Sequence, residues 1–118
     1  MRVHHLALRV ADVERSVAFY AGLLGLVERR RLPAEDGSLR SAWLEADGVL
    51  LMLEGRLRGA GADEGSGHLL AFAVDDLAAW EARLRAAGIA VDDRTACSLY
   101  VRDPDGHRVG LTAYRNEP

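Results

Sequence analysis

A handful of side chains in this sequence can do chemistry. His5 carries an imidazole that titrates near neutrality, which suits a general base or a hydrogen-bond donor to a ligand, and equally a histidine bonded to a neighbour. Glu54 closes the apolar run Leu51-Met52-Leu53, where its carboxylate either holds a cationic group or ends a strand in solvent. Trp43 and Met52 can make a platform for a flat or apolar ligand, or ordinary packing. Arg9 suits a carboxylate or phosphate, or an acidic residue across a subunit contact. Cys97 has no evident base near it in sequence and reads as a small buried hydrophobe rather than a nucleophile. His107 falls inside a turn signal and reads as solvated, and His4 as structural or edge-exposed. The run Asp63-Glu64-Gly65-Ser66-Gly67 lacks the ligand spacing of a calcium loop, and no phosphate- or dinucleotide-binding glycine motif is present.

The elements that must position these residues are written twice. Leu6, Leu8 and Val10 recur at every second position in an apolar stretch that runs on to Asp12; Leu70, Phe72 and Val74 do the same in one that runs on to Asp76, so Val10 matches Val74 and Asp12 matches Asp76. That period of two is the mark of a half-buried strand. Asp12 and Asp76 each suit a helix N-cap. Val13, Val17, Tyr20 and Leu24 then recur at helical spacing, as do Leu77, Trp80, Leu84 and Ala87, until Gly25 and Gly88 close the helices. Each half ends in a hairpin signal, Asp47-Gly48 and Asp105-Gly106. Two half-chains therefore share one plan: strand, helix, then three strands. The glycine-rich stretch from Gly55 to Gly67 reads as the link between them.

The hairpins fix which residues face one another. A two-residue turn at Asp47-Gly48 sets Ala46 against Val49, Trp43 against Met52 and Ser41 against Glu54. The same rule at Asp105-Gly106 predicts Val101 opposite Gly110, Leu99 opposite Thr112 and Cys97 opposite Tyr114. If the helices cover Leu6, Leu8 and Val10, then His5, Ala7 and Arg9 line the other face of the first strand.

Composition narrows the class. The 118 residues are 49% hydrophobic and 28% charged, enough apolar surface to offset the chain entropy lost on folding. The net charge of −3 points away from nucleic acid and anionic membrane as partners, and Arg29-Arg30-Arg31 reads as a solvated strand end. No apolar run approaches the length of a membrane span, the N-terminus lacks the apolar core of a signal peptide, and one cysteine cannot form an internal disulfide. These features predict a cytoplasmic single-domain protein.

The opening His5-Leu6-Ala7-Leu8-Arg9-Val10-x-Asp12-x-x-x-Ser16-x-x-Phe19-Tyr20-x-x-x-Leu24-Gly25, together with Asp103-Pro104-Asp105-Gly106 before the last strand, resembles the vicinal oxygen chelate superfamily of glyoxalases, bleomycin resistance proteins and extradiol dioxygenases. The resemblance spans nearly the whole chain. It implies an α+β fold: two βαβββ modules, residues 1–55 and 68–118 joined by a linker at 56–67, forming curled mixed sheets around a shared cavity, usually in a homodimer. Metal-dependent members place one His, Glu or Gln ligand on the first strand and one on the last strand of each module. Carried onto this chain, those positions hold His5, Met52, Leu69 (with His68 one place early) and Gly110. The internal repeat matches His5 to Leu69 and Met52 to Gly110 in the same register. A single ligand at four positions predicts no metal and no cofactor, since a thioether suits hard or borderline divalent ions poorly. The expectation is a protein, leaning away from an enzyme, that binds or sequesters a small organic molecule in a cavity lined by His5, Trp43, Met52, Glu54, Leu69, Val101 and Gly110. The alternative is a metal-dependent lyase, isomerase or dioxygenase using His5, Glu54 and a His68 turned inward by a one-residue bulge. A third possibility is a dimeric module with a vestigial pocket and a protein partner.

Overall fold

In the computed structural model, residues 1–57 and 68–114 are described. The chain divides into two compact units, Met1–Ala60 and Gly61–Pro118. Most of the expected linker, residues 58–67, lies outside the described residues. The first unit contains β1 (His5–Arg9), α1 (Val13–Val17) continuing into a π-helical turn (Ala18–Leu23), β2 (Val27–Pro33), β3 (Leu39–Ala46) and β4 (Val49–Glu54). The second contains β5 (Leu70–Ala73), α2 (Leu77–Ala86), β6 (Asp93–Arg94), β7 (Ser98–Arg102) and β8 (Arg108–Thr112). Each unit is thus a βαβββ module with a four-stranded mixed sheet, in the order β1-β4-β3-β2 in one and β5-β8-β7-β6 in the other. The first and last strands of each module run parallel, and the remaining pairs antiparallel. Among the described residues no helix is long and apolar enough to cross a membrane.

Local chemistry explains the helices. The Asp12 side chain accepts a hydrogen bond from the Arg15 amide and Asp76 from the Ala79 amide, each at the third residue beyond the cap, where a free donor must be satisfied. Gly25 and Gly88 adopt positive φ just beyond their helices, as the sequence leads one to expect. The first helix departs from the regular α pattern. Its second half widens to a π-helical turn closed by Leu24 N–H to Phe19 O, 3.0 Å. The wider turn lets the adjacent Phe19 and Tyr20 both point into the core, their rings edge to face at 5.0 Å. In α2 only Leu84 is fully buried; Leu77 and Trp80 are half-buried, and Ala87 lies past the helix end as its C-cap.

One face of each sheet forms the core. In the first unit Leu8, Ala42, Leu44, Leu51 and Leu53 are buried, with α1 packed over β3 and β4. In the second, Leu99, Val101, Val109 and Leu111 are buried, with α2 packed over β7. Glu81 of α2 pairs with Arg94 of β6 at 2.8 Å, and the Arg94 hydrogen bond holds the Glu81 carboxyl below the ordinary carboxylate range.

The first hairpin has the expected register: Ala46 faces Val49, Trp43 faces Met52 and Ser41 faces Glu54. The second does not. Val101 pairs with Val109, Tyr100 with Gly110, Leu99 with Leu111 and Ser98 with Thr112, one residue out of step with the two-residue-turn expectation. The cause is a longer turn. Asp103 N–H bonds His107 O at 2.9 Å, enclosing Pro104-Asp105-Gly106, with Gly106 at φ 87°. A three-residue turn of this kind ends in a left-handed residue, and the extra residue shifts every pair that follows. The Asp103 carboxylate, 5% exposed, accepts from the amides of Asp105 (2.9 Å) and His107 (2.8 Å) and so fastens the turn.

Candidate functional site

Because side chains alternate along a strand, the face turned away from the helix in the first unit carries Ala7 and Arg9 from β1, Met52 and Glu54 from β4, and Ser41 and Trp43 from β3. Ala7, Met52 and Trp43 lie side by side across three strands. Ser41, itself buried, donates from Oγ to Glu54 Oε1 at 2.9 Å. Glu54 therefore does not end a strand in open solvent: it is half-buried and hydrogen-bonded. Arg9 donates from both Nε (3.0 Å) and a terminal guanidinium nitrogen to the carbonyl of Leu57. His5 is exposed, with Nδ1 2.8 Å from Nδ1 of His4.

The three consecutive arginines lie within β2 rather than at a strand end. The register slips between Glu28 and Arg30, which leaves Arg29 as an extra residue. Such a bulge re-aims side chains. Arg31, opposite Ala42, pairs with Glu28 and with Glu14 of α1, and both acids raise its pKa, Glu28 the more. Arg29 pairs with Glu45 at 3.2 Å. Arg30, opposite Trp43, stands with its guanidinium carbon 5.0 Å from the centre of the indole. The indole Nε1 is buried and has no hydrogen-bond partner among the described residues. A buried donor left in this state costs on the order of 1–3 kcal/mol.

The second unit repeats the arrangement with different side chains. Ala71 lies beside Gly110 and Gly110 beside Tyr100, as Ala7 lies beside Met52 and Met52 beside Trp43. Ser98 Oγ lies 2.8 Å from Thr112 Oγ1, where the first unit has Ser41 and Glu54. Arg108 stands over Tyr100 at 4.4 Å, as Arg30 stands over Trp43. Of the residues expected to line a site, Trp43, Met52 and Glu54 are brought together in the first unit. In the second, Gly110 lies on the face away from the helix. Leu69 precedes β5 and is 44% exposed. Val101 is displaced from the expected set: the register shift turns it to the helix side, fully buried beside Val109. Tyr100 takes its place opposite Gly110. Reading Pro104-Asp105-Gly106 as a three-residue turn would have found Tyr100, but no sequence signal marks the bulge that aims Arg30. Two further expectations are corrected. Cys97 is exposed because it sits in the turn before β7, and the half-buried His107 ring lies 5.7 Å from that of His68 rather than in open solvent.

A divalent metal of the kind the resemblance implies needs hard or borderline donors converging on one point. The side chains at the expected positions do not fit one. Met52 offers a thioether, and Gly110 offers no side chain. A Cβ at Gly110 would lie 3.3 Å from the Tyr100 ring and 3.5 Å from Ala71 Cβ, so a side chain there requires the tyrosine ring to give by a few tenths of an ångström. The β5–β8 pairing runs without a bulge, and His68 lies before β5. Among the described residues no three His, Cys, Asp or Glu side chains are grouped to hold a metal.

Residues 2–111 match the family model of the glyoxalase/bleomycin resistance protein/dioxygenase superfamily. A lactoylglutathione lyase of Neisseria meningitidis serogroup A is 30% identical over 121 residues, covering 92% of this chain and 88% of the relative. Among solved structures, a glyoxalase/dioxygenase from Nostoc punctiforme superposes with a TM-score of 0.74 at 27% identity, over 93% of this chain and 88% of that one. A genomically encoded fosfomycin resistance protein from Listeria monocytogenes superposes with a TM-score of 0.80 at 21% identity, over 98% and 93%.

Proposed function

The chain belongs to the glyoxalase/bleomycin resistance protein/dioxygenase superfamily, and from that premise we propose that it binds a small organic molecule without a divalent metal, holding or sequestering it rather than transforming it. One observation carries the reading: Gly110, at the position where the resemblance places a metal ligand, offers no side chain, and a Cβ there would press on the Tyr100 ring at 3.3 Å. Met52 on the matching strand of the first unit supports it, because a soft thioether is a poor ligand for zinc, nickel or manganese. The ligand lies against the helix-free face of the first sheet, where it touches His5, Trp43, Met52 and Glu54. Small organic compounds also give their names to the lactoylglutathione lyases and the fosfomycin resistance protein that this chain resembles. The chain works as a cytoplasmic homodimer, with Cys97, its one cysteine, left as a thiol.

The test is metal content per chain by mass spectrometry on untagged protein, followed by calorimetric titration with zinc, nickel and manganese and with a broad panel of small organic molecules. The expected result is far less than one metal per chain, no uptake of added metal, and saturable binding of one or more panel compounds. Stoichiometric metal that is lost in both His5→Ala and Glu54→Ala would overturn the reading in favour of a metal-dependent lyase, isomerase or dioxygenase.

A further inference from the structure

Arg30 and Trp43 each hold donor capacity that the described protein atoms do not use, and they hold it side by side. Arg29 and Arg31 have carboxylate partners, Glu45 for the first and Glu28 and Glu14 for the second. Arg30, between them, has no carboxylate within ion-pair distance among the described residues; its guanidinium rests on the Trp43 ring alone. Trp43 Nε1–H is buried and unpartnered. A planar cation over an aromatic face is well placed to swing toward an anion while remaining in contact with the ring. Beside this pair lie Met52 and Ala7, an apolar floor for a hydrocarbon body. Among the described residues, Glu45 on this face is paired with Arg29, and Glu54 accepts from the Ser41 hydroxyl.

We propose that the helix-free face of the first sheet is a site for a small organic anion, a carboxylate or phosphonate on an aromatic or apolar body, with the acid group taken by Arg30 and Trp43 Nε1–H and the body resting on Met52 and Ala7. This inference rests on the small-molecule reading and gives it a ligand class. The guanidinium supplies two parallel donors to the acid group, as arginine does for carboxylates and phosphates generally. The guanidinium turns toward the anion while it stays against the indole, and Nε1–H gains the partner it lacks. In the second sheet Arg108 reaches over Tyr100 from β8 rather than from the strand matching β2, and its guanidinium is also paired with Asp93 at 3.3 Å. Of these two cations, Arg30 is the one with no carboxylate partner among the described residues.

The experiment reads the indole N–H signals of 15N-labelled full-length protein by NMR, with Trp80→Phe assigning the Trp43 signal. Four probes of one body size are titrated: benzoate, phenylphosphonate, benzyl alcohol and benzylammonium. The expected result is a saturable downfield shift of the Trp43 signal with the two anions and at least tenfold weaker binding of the alcohol and the ammonium. Arg30→Gln is expected to weaken benzoate binding tenfold or more while Arg30→Lys retains part of it, and Trp43→Phe to weaken it with the ring still present. Both arginine variants alter an exposed side chain, and their unchanged backbone amide spectra would show that folding is intact. Equal affinity for benzoate and benzyl alcohol would overturn the anion assignment, as would wild-type benzoate affinity in Arg30→Gln. Binding of other compounds from the broad panel with no response to these anions would overturn this site while leaving the small-molecule reading standing; no binding of any compound would overturn both.

Discussion

At the scale of single residues, the decisive position is Gly110. Its neighbours make it tight: with Tyr100 at 3.3 Å and Ala71 at 3.5 Å from a would-be Cβ, a side chain there must push the tyrosine ring aside by a few tenths of an ångström. Restoring a metal-type ligand there is therefore not a simple reversal. Gly110→Glu is expected to destabilise the protein by about 1–3 kcal/mol through overpacking, and by more if the carboxylate is trapped without a partner. Urea unfolding would measure this, and the double change Gly110→Glu with Tyr100→Ala is expected to recover part of the loss by making room. A Gly110→Glu protein as stable as the parent would show that the tyrosine yields freely. Met52, by contrast, is half-buried between Ala7 and Trp43 and offers a polarizable surface rather than a ligand.

Among the elements, the β7–β8 hairpin determines which residues reach the helix-free face of the second sheet. Its three-residue turn is fastened by one buried carboxylate, Asp103, which accepts two amide hydrogen bonds, and by Gly106, whose positive φ an L-residue adopts only with strain. Asp103→Ala is expected to cost about 2–3 kcal/mol, from two lost hydrogen bonds at roughly 1 kcal/mol each and the exposure of the turn amides. Thermal unfolding followed by circular dichroism would check the size, and an effect below half a kcal/mol would show that the turn is held by its strands alone. In the first unit the bulge at Arg29 has the comparable role: it separates Arg31, on the helix side, from Arg30, over the indole. A straight β2 would not leave Arg30 and Trp43 in this relation.

For the molecule as a whole, the two modules keep one plan while their side chains diverge. Ala7 and Ala71, Ser41 and Ser98, and Trp43 and Tyr100 occupy matching positions, but Met52 is matched by Gly110 and Glu54 by Thr112. Among the described residues the edge strands are β1 and β2 in one sheet and β5 and β6 in the other. Open edges carry unsatisfied amides and carbonyls, and association is one way to cover them. Static light scattering at micromolar concentration is accordingly expected to give twice the chain mass; a monomer across that range would sink the homodimer proposal.

The sequence by itself determined the duplicated strand–helix–three-strand plan, the helix caps at Asp12 and Asp76, and the register of the first hairpin. Each of these rests on local chemistry: alternation, a side-chain oxygen beside free amides, a two-residue turn at Asp47-Gly48. It also placed Met52 and Gly110 correctly on the faces turned away from the helices, because the repeat fixes them independently of the turn. Only the tertiary structure decided that Val101 belongs to the core and Tyr100 to the opposite face. That distinction depends on whether Asp103 and His107 close a three-residue turn, a hydrogen-bonded geometry that the dipeptide Asp105-Gly106 does not specify. The same holds for Arg30: which of three adjacent arginines faces the indole is set by a bulge, and a bulge is a property of two strands in register rather than of either one alone.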